Sequence, residues 1–349
     1  MKYRITVLTP LLVGDGQKLS PIDYMVWKDQ VSVLDQRRIF RLLAKGPRLE
    51  GYLTQLRKAE KLDFASWGGF AQNFAGRRIP FEHASSSAYW QQARAEHLHI
   101  PTFAAGPSGP YLPGSAVKGA LRTGFLFSRV TGGTVRELAG RFEGDRAPRR
   151  PGETVEGMAI GTPASDPLRL IGVADSGGVP AGSFKIYLLR VSAGSGPPKP
   201  EQSAPLFAEM AVPGTQFEGS FQQKQGAKLD MFLEAANAYA ERQIALHAQY
   251  ADKAGLQKLR AGMDALSSQL QDARSRSGAC LLNLGWGGGF LSKAPIDTMN
   301  EDYRRILRQL PYYERAIRSG LPFPKTRKVV FLENQAATLP GWVTLEVLA

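Results

Sequence analysis

The sequence predicts an α+β fold with antiparallel strand pairing. Three observations carry this. The first third of the chain mixes strand and helix signals in an order that is not simple βαβ repetition. Hydrophobic residues make up 43% of 349, which is enough for two ordinary domains with real cores. The chain also closes on two strand-like runs, KVVFLE and WVTLEVL.

Taken in order, residues 3–8 alternate, with Tyr3, Ile5 and Val7 on one face and Arg4, Thr6 and Leu8 on the other. YMVWKDQVSVL, 24–34, reads as a hairpin turning at Asp29-Gln30. Asp35 is placed to cap a helix with Ile39, Leu42 and Leu43 on its apolar stripe, ending at Gly46-Pro47, and a second helical pattern covers 48–62. GRFEGDRAPRRPGE, 140–153, and AGSGPPKPEQSAP, 193–205, read as exposed loops. The second is the linker candidate, so domains are expected over 1–192 and 206–349. Residues 228–275 contain no Pro. Leu256, Leu259, Met263, Leu266 and Leu270 form a heptad-like seam, and the stretch predicts an antiparallel helical hairpin breaking near Gly255. A strand, ACLLNLG, and a helix over 300–319 bent at Pro311 follow. The two closing runs are expected to pair.

The formal charge is +13, from 44 Lys and Arg against 31 Asp and Glu, with a pI near 9.8. So basic a chain points to a polyanionic partner, nucleic acid first. Cys280 is the lone cysteine, which excludes an internal disulfide and fits a reducing compartment. The apolar start MKYRITVLTPLLVGDG is interrupted by Thr9 and Pro10 and lacks a small-residue cleavage site, so it reads as a strand and not a signal peptide. No apolar run approaches the roughly 20 residues that span a bilayer. The expectation is a soluble cytoplasmic protein with no membrane partner.

Two segments carry chemistry. LPGSAVKGALRTGFLF, 112–127, turns from Pro and Gly into a helix. Ser115 is placed as its N-cap, Gly114 allows close approach of the backbone, and Lys118 and Arg122 share one helix face. A helix start offers free amides and partial positive charge to an anion. A capped helix with solvated charges explains the same residues, and both readings stay open here. It is not a P-loop, because no Gly-Lys-Ser or Gly-Lys-Thr is present. LLNLGWGGGFLSKA, 281–294, places Gly285, Gly287, Gly288 and Gly289 at a strand end with Lys293 beyond. So many glycines imply unusual backbone geometry, against a ligand or in a β-bulge. Phe290 stands where a dinucleotide fingerprint needs glycine.

Other candidates carry less. His97 and His99 point the same way if on a strand, but no Cys or further His stands at a ligand spacing, so no metal is expected. Asp15, Asp23, Asp35, Asp166 and Asp175 are scattered. Asp35 is more simply a helix cap and Asp23 a strand-end acceptor. YRRILRQL with Tyr312 and Tyr313 suits single-stranded nucleic acid, and equally an amphipathic helix with a solvated basic face.

TPLLVGDGQKLSPIDY at 9–24, PYLPGSAVKGALRTG at 110–124 and LGWGGGFLSKA at 284–294, in that order before PFPKTRKVVF, resemble the RAMP proteins of type III CRISPR effector complexes. The second stretch is similar to the P-G-S-x-hydrophobic-K-G-x-x-R helix start, and the third to the C-terminal glycine-rich loop. The nearest resemblance is to the subunit that caps the head of the type III-A (Csm) complex. It implies two ferredoxin-like (RRM-like) domains, the second with a helical insertion. It implies a non-catalytic subunit that binds the 3′-proximal part of the guide RNA (crRNA) in antiviral defence. Implied partners are crRNA, target RNA, the backbone and small subunits of the complex, and nucleases recruited for guide 3′-end maturation. No cofactor and no catalytic residue is implied. On this reading Gly114, Ser115, Lys118 and Arg122 form part of the RNA path, with Gly285, Gly287, Gly288, Gly289 and Lys293 nearby, indifferent to base identity because a guide spacer varies. The alternatives are another type III RAMP subunit (III-B), a guide-processing endoribonuclease with His97 and His99 as suspects, and a protein scaffold without direct RNA contact.

Overall fold

The computed structural model describes residues 1–58, 74–144, 147–192 and 200–348. The chain opens with β1 (Lys2–Val7), β2 (Lys18–Leu19), β3 (Tyr24–Trp27) and β4 (Gln30–Leu34), then α1 (Gln36–Leu43), α2 (Arg48–Lys58), β5 (Ala75–Pro80) and α3 (Ser85–Gln92). Short strands β6 (Ile100–Pro101), β7 (Ala105–Gly106) and β8 (Gly109–Pro110) lead to α4 (Gly114–Arg129), α5 (Gly132–Glu143) and α6 (Pro151–Ile160). Strands β9 (Ile171–Val173), β10 (Phe184–Ser192), β11 (Leu206–Ala211) and β12 (Gln216–Gln223) precede α7 (Leu229–Ala254) and α8 (Gln257–Ser275). The remainder is β13 (Ala279–Asn283), α9 (Glu301–Arg308), α10 (Glu314–Arg318), β14 (Arg327–Leu332), β15 (Gln335–Thr338) and β16 (Trp342–Leu348).

Two antiparallel sheets frame the molecule. The larger runs β13-β16-β1-β12-β9 and the smaller β11-β10-β14-β15. The alternation of β1 holds, with Tyr3, Ile5 and Val7 buried in the first core. Against them pack Val117, Leu121 and Phe125 of α4 and Phe232 and Leu233 of α7. Full burial of such a side chain is worth about 1.5–3 kcal/mol. The expected hairpin 24–34 forms, but β3 and β4 pair Trp27 with Gln30, so the turn is Lys28-Asp29, with Lys28 at φ 52°. Asp35 caps α1, its carboxylate accepting from the Arg38 amide at 3.0 Å. Ile39 and Leu43 are buried, whereas Leu42 is 60% exposed and leaves the expected stripe. The helical pattern read over 48–62 is helix as far as Lys58, and 59–62 lie outside the described residues.

Helices α7 and α8 form the hairpin, with Gly255 in the left-handed conformation at the turn. Leu259, Met263, Leu266 and Leu270 pack on Ile186, Leu188, Val329 and Phe331 of the smaller sheet, so the hairpin covers sheet and not solvent. Helix α9 ends at Arg308, and Pro311 starts a separate 3-10 turn before α10. The proline therefore breaks the segment where a bend was expected. The 140–153 stretch is helical at both ends, in α5 and α6. Those helices pack Val135, Leu138 and Val155 against Tyr303, Ile306 and Leu307 of α9.

Two expectations are corrected by topology. The closing runs do not pair with each other. β14 turns at Glu333-Asn334, both with positive φ, into β15, and the chain then crosses to place β16 between β13 and β1. Each sheet also draws strands from both sides of residues 193–205: β1 and β9 join β12, β13 and β16, and β10 joins β11, β14 and β15. Residues 193–199 of that stretch lie outside the described residues.

Candidate nucleic-acid interface

The two glycine-bearing segments meet the N-terminal loop at one cleft of about 640 Å³. One wall is the loop after β1, including Leu12 and Gln17, with Lys18 at the start of β2. The floor is the small-residue face of α4: Ser115, Ala116, Gly119, Ala120 and Thr123. The other wall is the loop after β13, with Gly285, Trp286, Ser292 and Lys293. The walls are tied together by backbone. The Trp286 amide donates to Leu12 O at 2.7 Å and the Leu284 amide to Gly341 O at 2.7 Å. Gly285 sits at φ 74°, and a Cβ there would lie 2.1 Å from Leu12 O, so this position demands glycine on two counts. No carboxylate lines the cleft among the described residues. Lys18 and Lys293 are both exposed, and neither makes an ion pair among the described residues. The ion pairs among the described residues are formed by arginines or His97, and none of them involves a residue lining the cleft.

The structure places the sequence candidates in three groups. Ser115, Gly285 and Lys293 converge on the cleft. Gly287, Gly288 and Gly289 line a neighbouring cavity. Gly114, Lys118 and Arg122 are engaged by protein. Helix α4 is capped without Ser115: Pro113 is the N-cap residue, Gly114 is the first helical residue, and its amide donates to Asp175 Oδ1 at 2.8 Å. A Cβ on Gly114 would meet Val173 O at 2.4 Å, so this glycine serves close packing of α4 on the strand end and not approach to a ligand. Lys118 Nζ donates to Ile171 O at 2.7 Å. Arg122 donates through Nη2 to Glu156 (2.9 Å) and Nε to Asp166 (2.8 Å), and these bonds, Glu156 first, raise its pKa.

Arg122→Ala is therefore expected to lower unfolding free energy by about 1–2 kcal/mol, because Asp166 and Glu156 lose a shared charged donor. The salt dependence of RNA binding should not move. A urea titration and a binding series in rising salt check this, and a slope flattened by about 0.7 would return Arg122 to the RNA path.

The other candidates have structural partners. Asp15 accepts from the Gln17 amide, Asp23 from the Ser20 amide and hydroxyl, Asp35 from Arg38, Asp166 from Leu168, and Asp175 from Gly114. His97 lies in a 3-10 turn with Glu96 at 3.4 Å, and His99 precedes β6, so they share no strand. No cluster of three potential metal ligands occurs among the described residues. The basic face of α9 is paired: Arg304 and Arg308 with Glu301, and Arg305 with Glu143 and Asp302. That matches a solvated amphipathic helix. No helix is long and apolar enough to cross a membrane among the described residues.

Four residues escaped the sequence reading: Lys18, Trp286, His247 and Lys328. Lys18, Trp286 and Lys328 stand inside segments already quoted for their resemblance, so their position was visible although their convergence was not. Lys328 Nζ lies over the Trp286 ring, 4.7 Å from its centroid. Burial pushes His247 well below the ordinary imidazole value, and the Arg327 charge adds to it. Arg327 Nε donates to His247 Nδ1 at 3.0 Å, which requires that nitrogen unprotonated. The folded pKa lies below the unfolded value of 6.5, so the unfolded chain takes the proton first. This contribution to stability is complete above about pH 6.5 and falls by up to about 1.4 kcal/mol per unit as pH drops below it. Urea unfolding at pH 7.5 and 5.5 should show the loss in the native chain and a smaller one in His247→Asn. Equal losses would refute it.

With this geometry in hand, comparisons with known proteins are specific. The family model described as RAMPs, the RAMP superfamily, matches residues 4–219. A protein of Methanocaldococcus jannaschii called CRISPR system Cms protein Csm5 is 21% identical over 399 residues, covering 100% of this chain and 89% of the relative. A chain in the cryo-EM structure of a Csm-crRNA-target RNA ternary complex of a type III-A CRISPR-Cas system superposes with TM-score 0.75 at 20% identity, covering 99% of this chain and 100% of the other. The crystal structure of T. onnurineus Csm5 superposes with TM-score 0.66 at 19% identity, covering 97% and 99%. These likenesses extend the shared fold across the whole chain.

Proposed function

The chain belongs to the RAMP superfamily, and we propose from that premise that it is a non-catalytic guide-RNA-binding subunit of a type III-A CRISPR interference complex. In this reading it caps the head of the particle, holds the 3′-proximal part of the crRNA, and supports guide 3′-end maturation and assembly. Its partners are crRNA, target RNA and the other subunits. The observation that carries the proposal is the cleft in which Lys18, Ser115, Gly285 and Lys293 converge from three separated segments, with no carboxylate lining it among the described residues. Two exposed ammonium groups with no counter-ion among the described residues suit phosphates of a single strand, and a half-buried indole beside them offers a face to a base. Backbone-directed contacts of this kind bind any guide sequence.

The fold reading that accompanies the proposal is two ferredoxin-like units. Its support is that β1, α4, β9, β12, α7 and β16 follow a β-α-β-β-α-β order, with β16-β1-β12-β9 adjacent in the sheet. The smaller sheet with α8 is the second, more altered unit.

Crosslinking the chain to RNA in the assembled particle tests the reading. Crosslinked peptides are expected from 12–18 and 285–293. Their absence, in a particle whose backbone subunits do crosslink, would favour the scaffold without direct RNA contact.

A further inference from the structure

Helices α5, α6 and α9 build a core of their own, in which Val135, Leu138 and Val155 meet Tyr303, Ile306 and Leu307. On its solvent side this core does not close. A groove of about 610 Å³ runs there, with Leu138, Phe142, Ile306, Leu307 and Leu310 among its lining. Two large apolar side chains that also line it stand out in solvent, Tyr312 at 72% and Phe290 at 41% exposure. Apolar surface gathered in one concave patch is the mark of an interaction site. The rings beside the groove are turned on one another: Phe323 meets Phe290, Tyr303 and Tyr313 edge-on, with centroids 5.6, 6.0 and 5.3 Å apart. The surface left to a partner is therefore largely aliphatic. The free charge of the groove has one sign. Glu156, the single carboxylate lining it among the described residues, accepts from Arg122 Nη2 at 2.9 Å. On the flanking helices Glu143 and Asp302 are both held by Arg305. Arg149 and Lys293 line the groove, are exposed, and make no ion pair among the described residues.

We propose that this groove docks a segment of a partner protein in which large apolar side chains are flanked by aspartate or glutamate. The apolar side chains cover Leu138, Ile306, Leu307 and Leu310, and the carboxylates meet Arg149 and Lys293, whose charge no acid of this chain answers among the described residues. A nucleic-acid strand suits the groove less well. Base edges laid on an aliphatic floor give up their hydrogen bonds to water and gain none in return. A second copy of this chain is also disfavoured, because two molecules of formal charge +13 repel each other. The inference does not rest on the RNA-binding reading: among the described residues Lys293 alone lines both the groove and the cleft.

The test selects short random peptides displayed on phage against the purified full chain, then measures the affinity of the recovered sequences by fluorescence anisotropy. Tyr312→Ala and Arg149→Glu are the variants, since both side chains are exposed and both proteins should keep the wild-type urea midpoint. The expected result is enrichment of Leu, Phe or Trp between Asp or Glu, with affinity falling about tenfold in each variant. Replacing the carboxylates of a recovered peptide with Lys should weaken its binding to the wild type and restore it to Arg149→Glu. Recovered peptides that lack this bias, or that bind both variants as tightly as the wild type, overturn the proposal, and so does a library that yields nothing above background. Oligouridine whose affinity falls in Tyr312→Ala as far as that of the peptides would make the occupant RNA. A dimer in sedimentation that Tyr312→Ala dissolves would make it a second copy. Either result refutes the partner segment.

Discussion

Gly285→Ala is expected to cost roughly 3–6 kcal/mol of unfolding free energy. Three effects add at this position. A non-glycine residue at φ 74° costs about 1–2 kcal/mol of backbone strain. The new methyl would lie 2.1 Å from Leu12 O, a main-chain atom that yields only by moving the β1–β2 loop, at about 1–3 kcal/mol. The same movement stretches the Trp286 N–H to Leu12 O bond, worth about 1 kcal/mol. Because that bond joins the two walls of the cleft, the variant should also widen the cleft and weaken RNA binding. Urea unfolding reads the first effect, and a midpoint shift equivalent to under 0.5 kcal/mol would mean that Leu12 and Gly285 are not apposed as the structure has them.

The double variant Lys18→Ala with Lys293→Ala should weaken binding of unrelated single-stranded RNAs by roughly thirtyfold at low salt, about 1 kcal/mol for each exposed charge-assisted contact. Both residues are solvent-facing and make no ion pair among the described residues, so stability should change by less than about 0.5 kcal/mol. Each lost phosphate contact removes about 0.7 from the slope of log affinity against log salt for a single strand, so the pair should flatten it by about 1.4. The loss should be the same across sequences, since ammonium groups read phosphate and not bases. Fluorescence anisotropy over 50–300 mM salt measures both quantities. Unchanged slope and affinity would remove the cleft from the RNA path. A loss confined to one sequence would mean that the lysines read bases.

The two variants separate roles that the sequence presents together. In PYLPGSAVKGALRTG the conspicuous cations are Lys118 and Arg122, yet one binds the Ile171 carbonyl and the other joins α4 to Glu156 and Asp166. Those acceptors lie 34 to 53 residues further along the chain, and nothing in the local pattern marks them. Lys18 carries no such signal and stands in the cleft because the loop after β1 folds back on the loop after β13. Ser115 follows the same logic. Its type suits a cap, but Asp175 takes the Gly114 amide, and the hydroxyl is left to line the cleft.

What the sequence alone determined is what repeats within a few residues: the alternation of β1, the cap at Asp35, the α7–α8 hairpin with its seam of Leu259, Met263, Leu266 and Leu270, and the three segments whose resemblance pointed to the RAMP superfamily. Local backbone geometry fixes these features, so neighbouring side chains suffice to reveal them. Only the tertiary structure decided that β14 and β16 lie in different sheets, that each sheet takes strands from both sides of residues 193–205, and which cations stay free. These depend on pairings between residues far apart in the chain, where a charge is committed or available according to what packing places beside it. A lysine or arginine looks the same in sequence in either case.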